Sequence, residues 1–399
     1  MRNTKANTSS PFKGTAMTSP DRTAQDPWLL TPGPLTTSLT VKQAMLHDWG
    51  SRDTKFIAIN RRVRDKLVAL GGGTGTHVCV PMQGSGTFAV EGMLGSFVPA
   101  KGKLLILING AYGKRMARIC DYYKRDYTIL EWAEDCPVEP AAVEKALASD
   151  PAISHVAIVQ CETTSGVLNP VAEVAAVVAK AGRRLLIDAM SAFGALPLDA
   201  REVVFDALAA SSNKCLEGVP GLGFVICRKD ALDACKGNSP SLSLDLFDQF
   251  QVLEKTGQWR FTPPIHCIVA FDQAIQEHET EGGVAGRGGR YRNNCRILVE
   301  GMRKLGFETL LPDRLQAPII VTFHMPADPK FVFEIFYDKL RERGFVIYPG
   351  KLTVADSFRI GCIGRLGEAE MNGALEAVRA VMAEMGVLSG AAQKRAANA

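Results

Sequence analysis

Asp188 closes the apolar run Leu185-Leu186-Ile187, which puts a carboxylate at the carboxyl end of a predicted core strand. That is the edge where open α/β sheets bind ligands. Lys214 stands just past the next apolar run, in Ser211-Ser212-Asn213-Lys214-Cys215. Upstream, Gly84-Ser85-Gly86-Thr87-Phe88-Ala89 follows a strand and opens a helical pattern. Its backbone N–H groups and two hydroxyls could cradle a phosphate at a helix N-terminus. Taken singly, the aspartate and the lysine read as a cap or a solvated side chain, and the loop as a plain strand-to-helix turn. Together they are the three parts that pyridoxal phosphate requires: a carboxylate to keep the pyridine nitrogen protonated, a lysine to form the Schiff base, and a loop to hold the phosphate. The loop also fits a dinucleotide fingerprint. That reading needs an acid at the end of the following strand, which instead ends at Ile108-Asn109.

The elements that must position these residues are legible as apolar runs. Val78 to Val80, Leu104 to Ile108, Thr128 to Trp132, His155 to Gln160, Arg184 to Ile187, Val203 to Ala209 and Gly223 to Cys227 read as strands. Gly113 to Lys124, Pro140 to Ala148 and Val171 to Ala181 supply crossover helices. Continuous apolar strands alternating with helices predict an α/β fold, with a mostly parallel, mixed seven-stranded sheet covered on both faces. After about residue 280 the pattern becomes a long arginine-bearing helix, then strands near Pro318 to Phe323, Phe345 to Tyr348 and Ser357 to Gly361. The expected organisation is a large domain over 27–280 with an entrance segment at about 27–55, and a smaller α+β domain over 281–388. Residues 1–26, poor in apolar side chains, and the small polar residues 389–399 are expected to be flexible.

Composition excludes several classes. The chain is 46% hydrophobic and 22% charged, in the range of ordinary globular proteins. A net charge of +4 spread along the sequence demands no nucleic acid. Gly286-Arg287-Gly288-Gly289-Arg290-Tyr291-Arg292 has the look of an RNA-binding tract, but a single copy leading into a helical pattern reads as a helix start. The ten cysteines are scattered and mostly embedded in apolar runs, which predicts reduced thiols of a cytoplasmic protein. There is no CxxC pair or HExxH, so no metal site is expected, and no apolar run has the roughly 18 residues a membrane span needs.

The run Leu29-Leu30-Thr31-Pro32-Gly33-Pro34-Leu35-Thr36-Thr37-Ser38, followed by Asp48-Trp49-Gly50-Ser51-Arg52-Asp53, resembles the entrance segment of the class V aminotransferases of fold type I. The resemblance covers about residues 28 to 385. It includes Met82 to Thr87, Asn109 to Gly113, Glu162 to Gly166, Asp188 to Ser191, Ser212 to Cys215, Trp259 to Pro264 and Ser357 to Gly361. It implies a homodimer with shared active sites and pyridoxal phosphate as cofactor. Lys214 would bond the cofactor's aldehyde and Asp188 its ring nitrogen. Ser85, Gly86 and Thr87 would hold the phosphate, helped by Thr262 from the other subunit. Tyr112 would stack on one ring face, Met190 would pack on the other, and Thr164 would hydrogen-bond the phenolic oxygen. Arg359, with Gly33 nearby, would bind the substrate's anionic group. Within the family the resemblance points to amino transfer from 2-aminoethylphosphonate to pyruvate. Alanine:glyoxylate and serine:pyruvate transamination share the same cofactor motifs.

Overall fold

The computed structural model describes residues 26–352 and 355–392. The expected flexible N-terminal extension and most of the expected C-terminal tail therefore lie outside the described residues. The seven apolar runs join one sheet, in the spatial order His77–Gln83, Leu222–Arg228, Ala207–Ser211, Arg184–Asp188, Ile153–Val159, Lys103–Ile108 and Asp126–Glu131. Neighbours run parallel, except that Leu222–Arg228 lies antiparallel to the strands on either side of it.

Side chains along each strand alternate between two buried clusters. Leu105, Leu107, Val156 and Ile158 enter one, while Leu104, Ile106, Ile108, Ala157 and Val159 enter the other. Helices Thr54–Leu70, Pro140–Ser149, Val171–Lys180 and Ile265–Thr280 cover the first face, and Gly86–Phe97, Ala111–Tyr123 and Leu246–Thr256 the second. In the central strands both pleat directions are thus dry, so both must be apolar, which is why those strands read as unbroken runs, while the edge strand Asp126–Glu131 stays partly exposed. Each fully buried Leu, Ile or Val contributes roughly 1.5–3 kcal/mol relative to exposure.

Two expected strands differ in detail. The run from Val203 becomes a strand only at Ala207–Ser211. Val203 and Phe205 fill the core ahead of it, and Asp206 stands between Arg184 and Arg228 at 3.1 and 3.5 Å. Phe345 to Tyr348 splits in two: Phe345–Val346 pairs in parallel with Trp28–Leu29, and Tyr348–Pro349 pairs with the strand Ser357–Gly361. That last strand is central in a three-stranded antiparallel sheet with Ile320–His324 on its other side. Helices Gly283–Lys304, Phe333–Glu342 and Glu368–Met385 accompany it around a core that includes Phe307, Phe323, Phe336 and Phe358. Leu30 belongs to this core, so the entrance segment is anchored there before it reaches the large sheet.

The glycine- and arginine-rich tract is the first half of the helix Gly283–Lys304. Arg287 is fully buried, pairs with Glu281 at 2.6 Å and donates to the carbonyl of Cys215, also at 2.6 Å. Arg290 pairs with Glu217 and Glu281, each at 2.7 Å. These two cations brace the loop that follows Lys214 and do not face solvent as a nucleic-acid surface would.

Candidate active site

In spatial order the strand Lys103–Ile108 lies between Asp126–Glu131, which follows it in the chain, and Ile153–Val159. The chain reverses its direction of travel there, and the carboxyl ends on either side frame a crevice. Two hydrogen bonds span it: the Ala111 N–H donates to Thr164 Oγ1 at 3.1 Å, and the Tyr112 N–H to Glu162 Oε2 at 3.2 Å. Beside this crevice lies a cavity of about 220 Å³ lined by Gly33, Ser85, Gly86, Thr87, Tyr112, Arg115, Asp188, Met190, Ser211 and Lys214, among others. The structure thus brings together Asp188, Lys214 and the glycine loop, which sequence reasoning placed on separate strand ends, and adds Gly33, Tyr112 and Met190.

Each part of this wall has a local cause. Asp188 ends its strand and accepts one hydrogen bond among the described residues, from the Met190 N–H at 3.0 Å. Burial raises its pKa to about 6. Lys214 follows the strand Ala207–Ser211 and donates to the Pro32 carbonyl at 2.5 Å. A Cβ at Gly33, whose φ is +115°, would stand 2.7 Å from Lys214 Nζ, so only glycine lets the entrance segment pass so close. Ser85 is the N-cap of the helix Gly86–Phe97, yet its hydroxyl makes no capping bond. At Gly86 a Cβ would meet Met190 Sδ at 2.1 Å, which keeps the loop's backbone open toward the cavity. The buried Ser211 hydroxyl, also on the lining, has no partner among the described residues.

These features fit pyridoxal phosphate. A helix N-terminus with an uncommitted N-cap hydroxyl suits a phosphate, and a buried carboxylate with spare acceptor capacity suits a protonated ring nitrogen. A lysine beside both suits an aldehyde. The Cys215 thiol, one residue on, is buried against the Ser191 carbonyl and pushed up to about 12. It packs, as the sequence suggested.

Three of the expected residues are not on this lining. Thr164 is fully buried and donates its hydroxyl to Glu162 Oε1 at 2.6 Å. Arg359, on the strand Ser357–Gly361, donates to the Thr163 and Pro349 carbonyls at 2.7 and 3.1 Å. Thr262 lines a different cavity with Gly84, Phe88, Trp259 and Phe261, on the outer side of the glycine loop.

Conversely, sequence reasoning missed Arg115, Glu162 and Lys351. Arg115 lies one helical turn after Tyr112, stands 4.9 Å from the ring centroid and donates to Thr87 Oγ1 at 3.1 Å. That i, i+3 spacing was a usable signal. Glu162 is fully buried, and burial raises its pKa. Lys351 approaches the same ring at 4.6 Å from a loop with no sequence signature.

Burial lowers the Lys214 pKa to about 8. At pH 7.5 roughly a quarter of the chains would carry the free amine, against about 0.1% for an ordinary lysine. Only the amine attacks an aldehyde. The rate at which unloaded protein takes up pyridoxal phosphate should therefore rise about tenfold per unit up to pH 8 and level off above it. Stopped-flow absorbance between pH 6.5 and 9.5 checks this, and a tenfold rise per unit continuing from pH 8 to 9.5 would show that burial does not act on the lysine.

Comparison with known proteins gives concordant matches. Residues 50–335 match the family model described as Aminotransferase class-V. The chain is 54% identical over 364 residues to 2-aminoethylphosphonate–pyruvate transaminase 2 of Burkholderia lata, covering 91% of this chain and 97% of that protein. It is 54% identical over 362 residues to a 2-aminoethylphosphonate–pyruvate transaminase of Pseudomonas aeruginosa, covering 91% and 98%. Among solved structures, pyridoxamine–pyruvate aminotransferase from Mesorhizobium loti superimposes with a TM-score of 0.82 at 22% identity, covering 92% of this chain and 95% of that one. Alanine–glyoxylate aminotransferase from Nostoc sp. does so with a TM-score of 0.82 at 21% identity, covering 90% and 96%.

Proposed function

Because the chain belongs to the class-V aminotransferases, we propose that it transfers the amino group of 2-aminoethylphosphonate to pyruvate, giving phosphonoacetaldehyde and L-alanine. The observation that carries this reading is 54% identity, over 91% of the chain, to relatives named for that reaction. When bound, pyridoxal phosphate supplies an aldehyde that takes up the amino group and a protonated ring that accepts the electron pair left when the donor carbon loses its proton.

The chain's residues do the rest. Lys214 would hold the aldehyde until the amine enters and, as a free amine, would carry the proton from the donor carbon. Asp188 holds the proton on the ring nitrogen, so the ring stays an electron sink. Ser85, Gly86 and Thr87 hold the phosphate. Met190 and Tyr112 would pack against the ring, and Thr164, whose hydroxyl is donated to Glu162, would reach the phenolic oxygen only by giving up that bond. Arg359, with Gly33 at the entrance, receives the anionic end, phosphonate in one half of the reaction and carboxylate in the other. A planar guanidinium matches an oxygen pair on either group.

A homodimer is part of this reading. Thr262 stands apart from its own chain's Lys214, and the exposed Phe88 and Phe261 line the same cavity as it does. A second copy would cover this apolar surface and receive Thr262 at its phosphate. The ten cysteines are free, and all but Cys136 and Cys267 are buried, which suits a cytoplasmic location. No helix among the described residues is long and apolar enough to cross a membrane.

The test is a visible spectrum of the loaded protein. The yellow absorbance should bleach on adding 2-aminoethylphosphonate without pyruvate, and return when pyruvate follows. Bleaching by alanine or serine with no response to the phosphonate would move the function to another donor. Protein that stays colourless after pyridoxal phosphate is supplied would remove the reading altogether.

A further inference from the structure

Three cations from three segments lie close together, two of them against the Tyr112 ring and the third, Arg359, an electrostatic neighbour of Lys351. Arg115 lies on the helix Ala111–Tyr123, Lys351 just after the strand Tyr348–Pro349, and Arg359 on the strand Ser357–Gly361. The guanidinium of Arg115 and the ammonium of Lys351 stand 4.9 and 4.6 Å from the ring centroid. Arg359 is held at the base of the Lys351 loop, where its Nε–H donates to the Pro349 carbonyl at 3.1 Å. The loop is tied down in turn by the Gly350 N–H, which donates to the Ser357 carbonyl at 2.9 Å. None of the three cations forms an ion pair with a described residue.

Two carboxylates set against these three cations are Asp188, which shares the Lys214 cavity with Arg115, and Glu162. Glu162 is fully buried and already accepts the Thr164 hydroxyl and the N–H groups of Thr164 and Tyr112, at 2.6, 3.0 and 3.2 Å. Positive charge is therefore in excess in a partly desolvated place. Both burial and repulsion from Arg115 and Arg359 disfavour the charged form of Lys351. Such an arrangement is unfavourable until an anion enters it.

The three cations have different work. Arg115 bonds Thr87 in the phosphate loop and lines the Lys214 cavity, so it sits on the cofactor side. Arg359 offers a fixed fork, which one carboxylate satisfies. The Lys351 ammonium has neither a hydrogen bond nor an ion pair among the described residues, and its flexible stem leaves it free to swing from the ring onto a ligand. A carboxylate needs no second cation, whereas a phosphonate dianion does.

We propose that Lys351 is the specificity-determining residue for the doubly charged end of the amino donor, closing on the phosphonate that Arg359 receives. The inference rests on the proposed transamination. Glu162, held by backbone N–H groups, keeps the cluster from repelling itself before the donor arrives.

The test compares Lys351→Met and Lys351→Arg with the wild-type holoenzyme, using 2-aminoethylphosphonate and L-alanine as separate donors in half-reactions followed by absorbance. Lys351→Met should raise the concentration for half-maximal rate about tenfold or more for the phosphonate, and less than about threefold for alanine. Lys351→Arg should restore most of the loss. Inhibition gives a readout independent of the chemistry: ethylphosphonate, a dianion without the amine, should bind about tenfold more weakly to Lys351→Met, while propanoate should be unaffected. Equal losses for both donors and both inhibitors, or no loss for either, would overturn the assignment. A wild-type enzyme that ignores 2-aminoethylphosphonate would instead overturn the function on which the inference rests.

Discussion

Lys214→Ala is expected to lower turnover by at least about 10⁴-fold, because the amine that moves the proton is removed from a site where the described residues hold no second base beside it. Within the lining, the other titratable groups are Tyr112, Arg115 and Asp188. Arg115 donates to Thr87 Oγ1, and Asp188 would be committed to the ring nitrogen. The fold should survive, since Lys214 lies at the cavity wall and its charged form is disfavoured by burial, so its removal costs little packing. Borohydride treatment should fix pyridoxal phosphate covalently to the wild-type chain and not to the variant. Added ethylamine should return part of the proton transfer. Near-normal turnover in Lys214→Ala would sink the mechanism.

Asp188→Asn separates activity from stability in opposite directions. Activity should fall by about 10³-fold or more, because an amide cannot keep the ring nitrogen protonated and the electron sink is lost. Stability of the unloaded chain should rise. Burial raises the Asp188 pKa from 3.8 to about 6, so above pH 6 the folded chain carries an ionised carboxylate that the unfolded chain holds at less cost. Between pH 6 and 3.8 the folded state binds the extra proton, and the penalty disappears as pH falls through that window. At pH 7.5 it is on the order of 2 to 3 kcal/mol. Unloaded Asp188→Asn should therefore melt several degrees above the wild type at pH 7.5, with the difference shrinking toward pH 4.5. A variant that melts lower at pH 7.5 would show that the carboxylate is paid for by contacts the geometry does not reveal.

The clearest sequence signals came from residues whose surroundings are uniform. The central strands of the large sheet were legible because water is excluded from both faces, so Leu104 to Ile108 had to be apolar at every position. Asp188 and Lys214 stood out against such runs: a charged group directly after a buried strand needs a reason. The entrance segment was recognisable as a motif, but its pairing of Trp28–Leu29 with Phe345–Val346 was not. A two-residue parallel pair formed more than 300 positions away leaves no local period to read. The arginines of the glycine-rich tract looked like a solvated helix start, and the structure turns Arg287 and Arg290 inward onto Glu217 and Glu281. Burial of a charge depends on a partner elsewhere in the chain, which spacing cannot show.

The site follows the same division. The sequence by itself determined the layered fold and singled out Asp188, Lys214 and the glycine loop, which the structure brings to one cavity, because each follows from local pattern: strand, strand end, helix N-terminus. Tertiary structure alone decided that Arg115 and Lys351 meet at one aromatic ring, with Arg359 at the base of the Lys351 loop and Glu162 buried beside them, and that Gly33 passes against Lys214. The physical reason is that charge interactions act through space over a few ångströms whatever the distance along the chain. The electrostatic character of a pocket is therefore fixed only when the segments that carry its charges have packed.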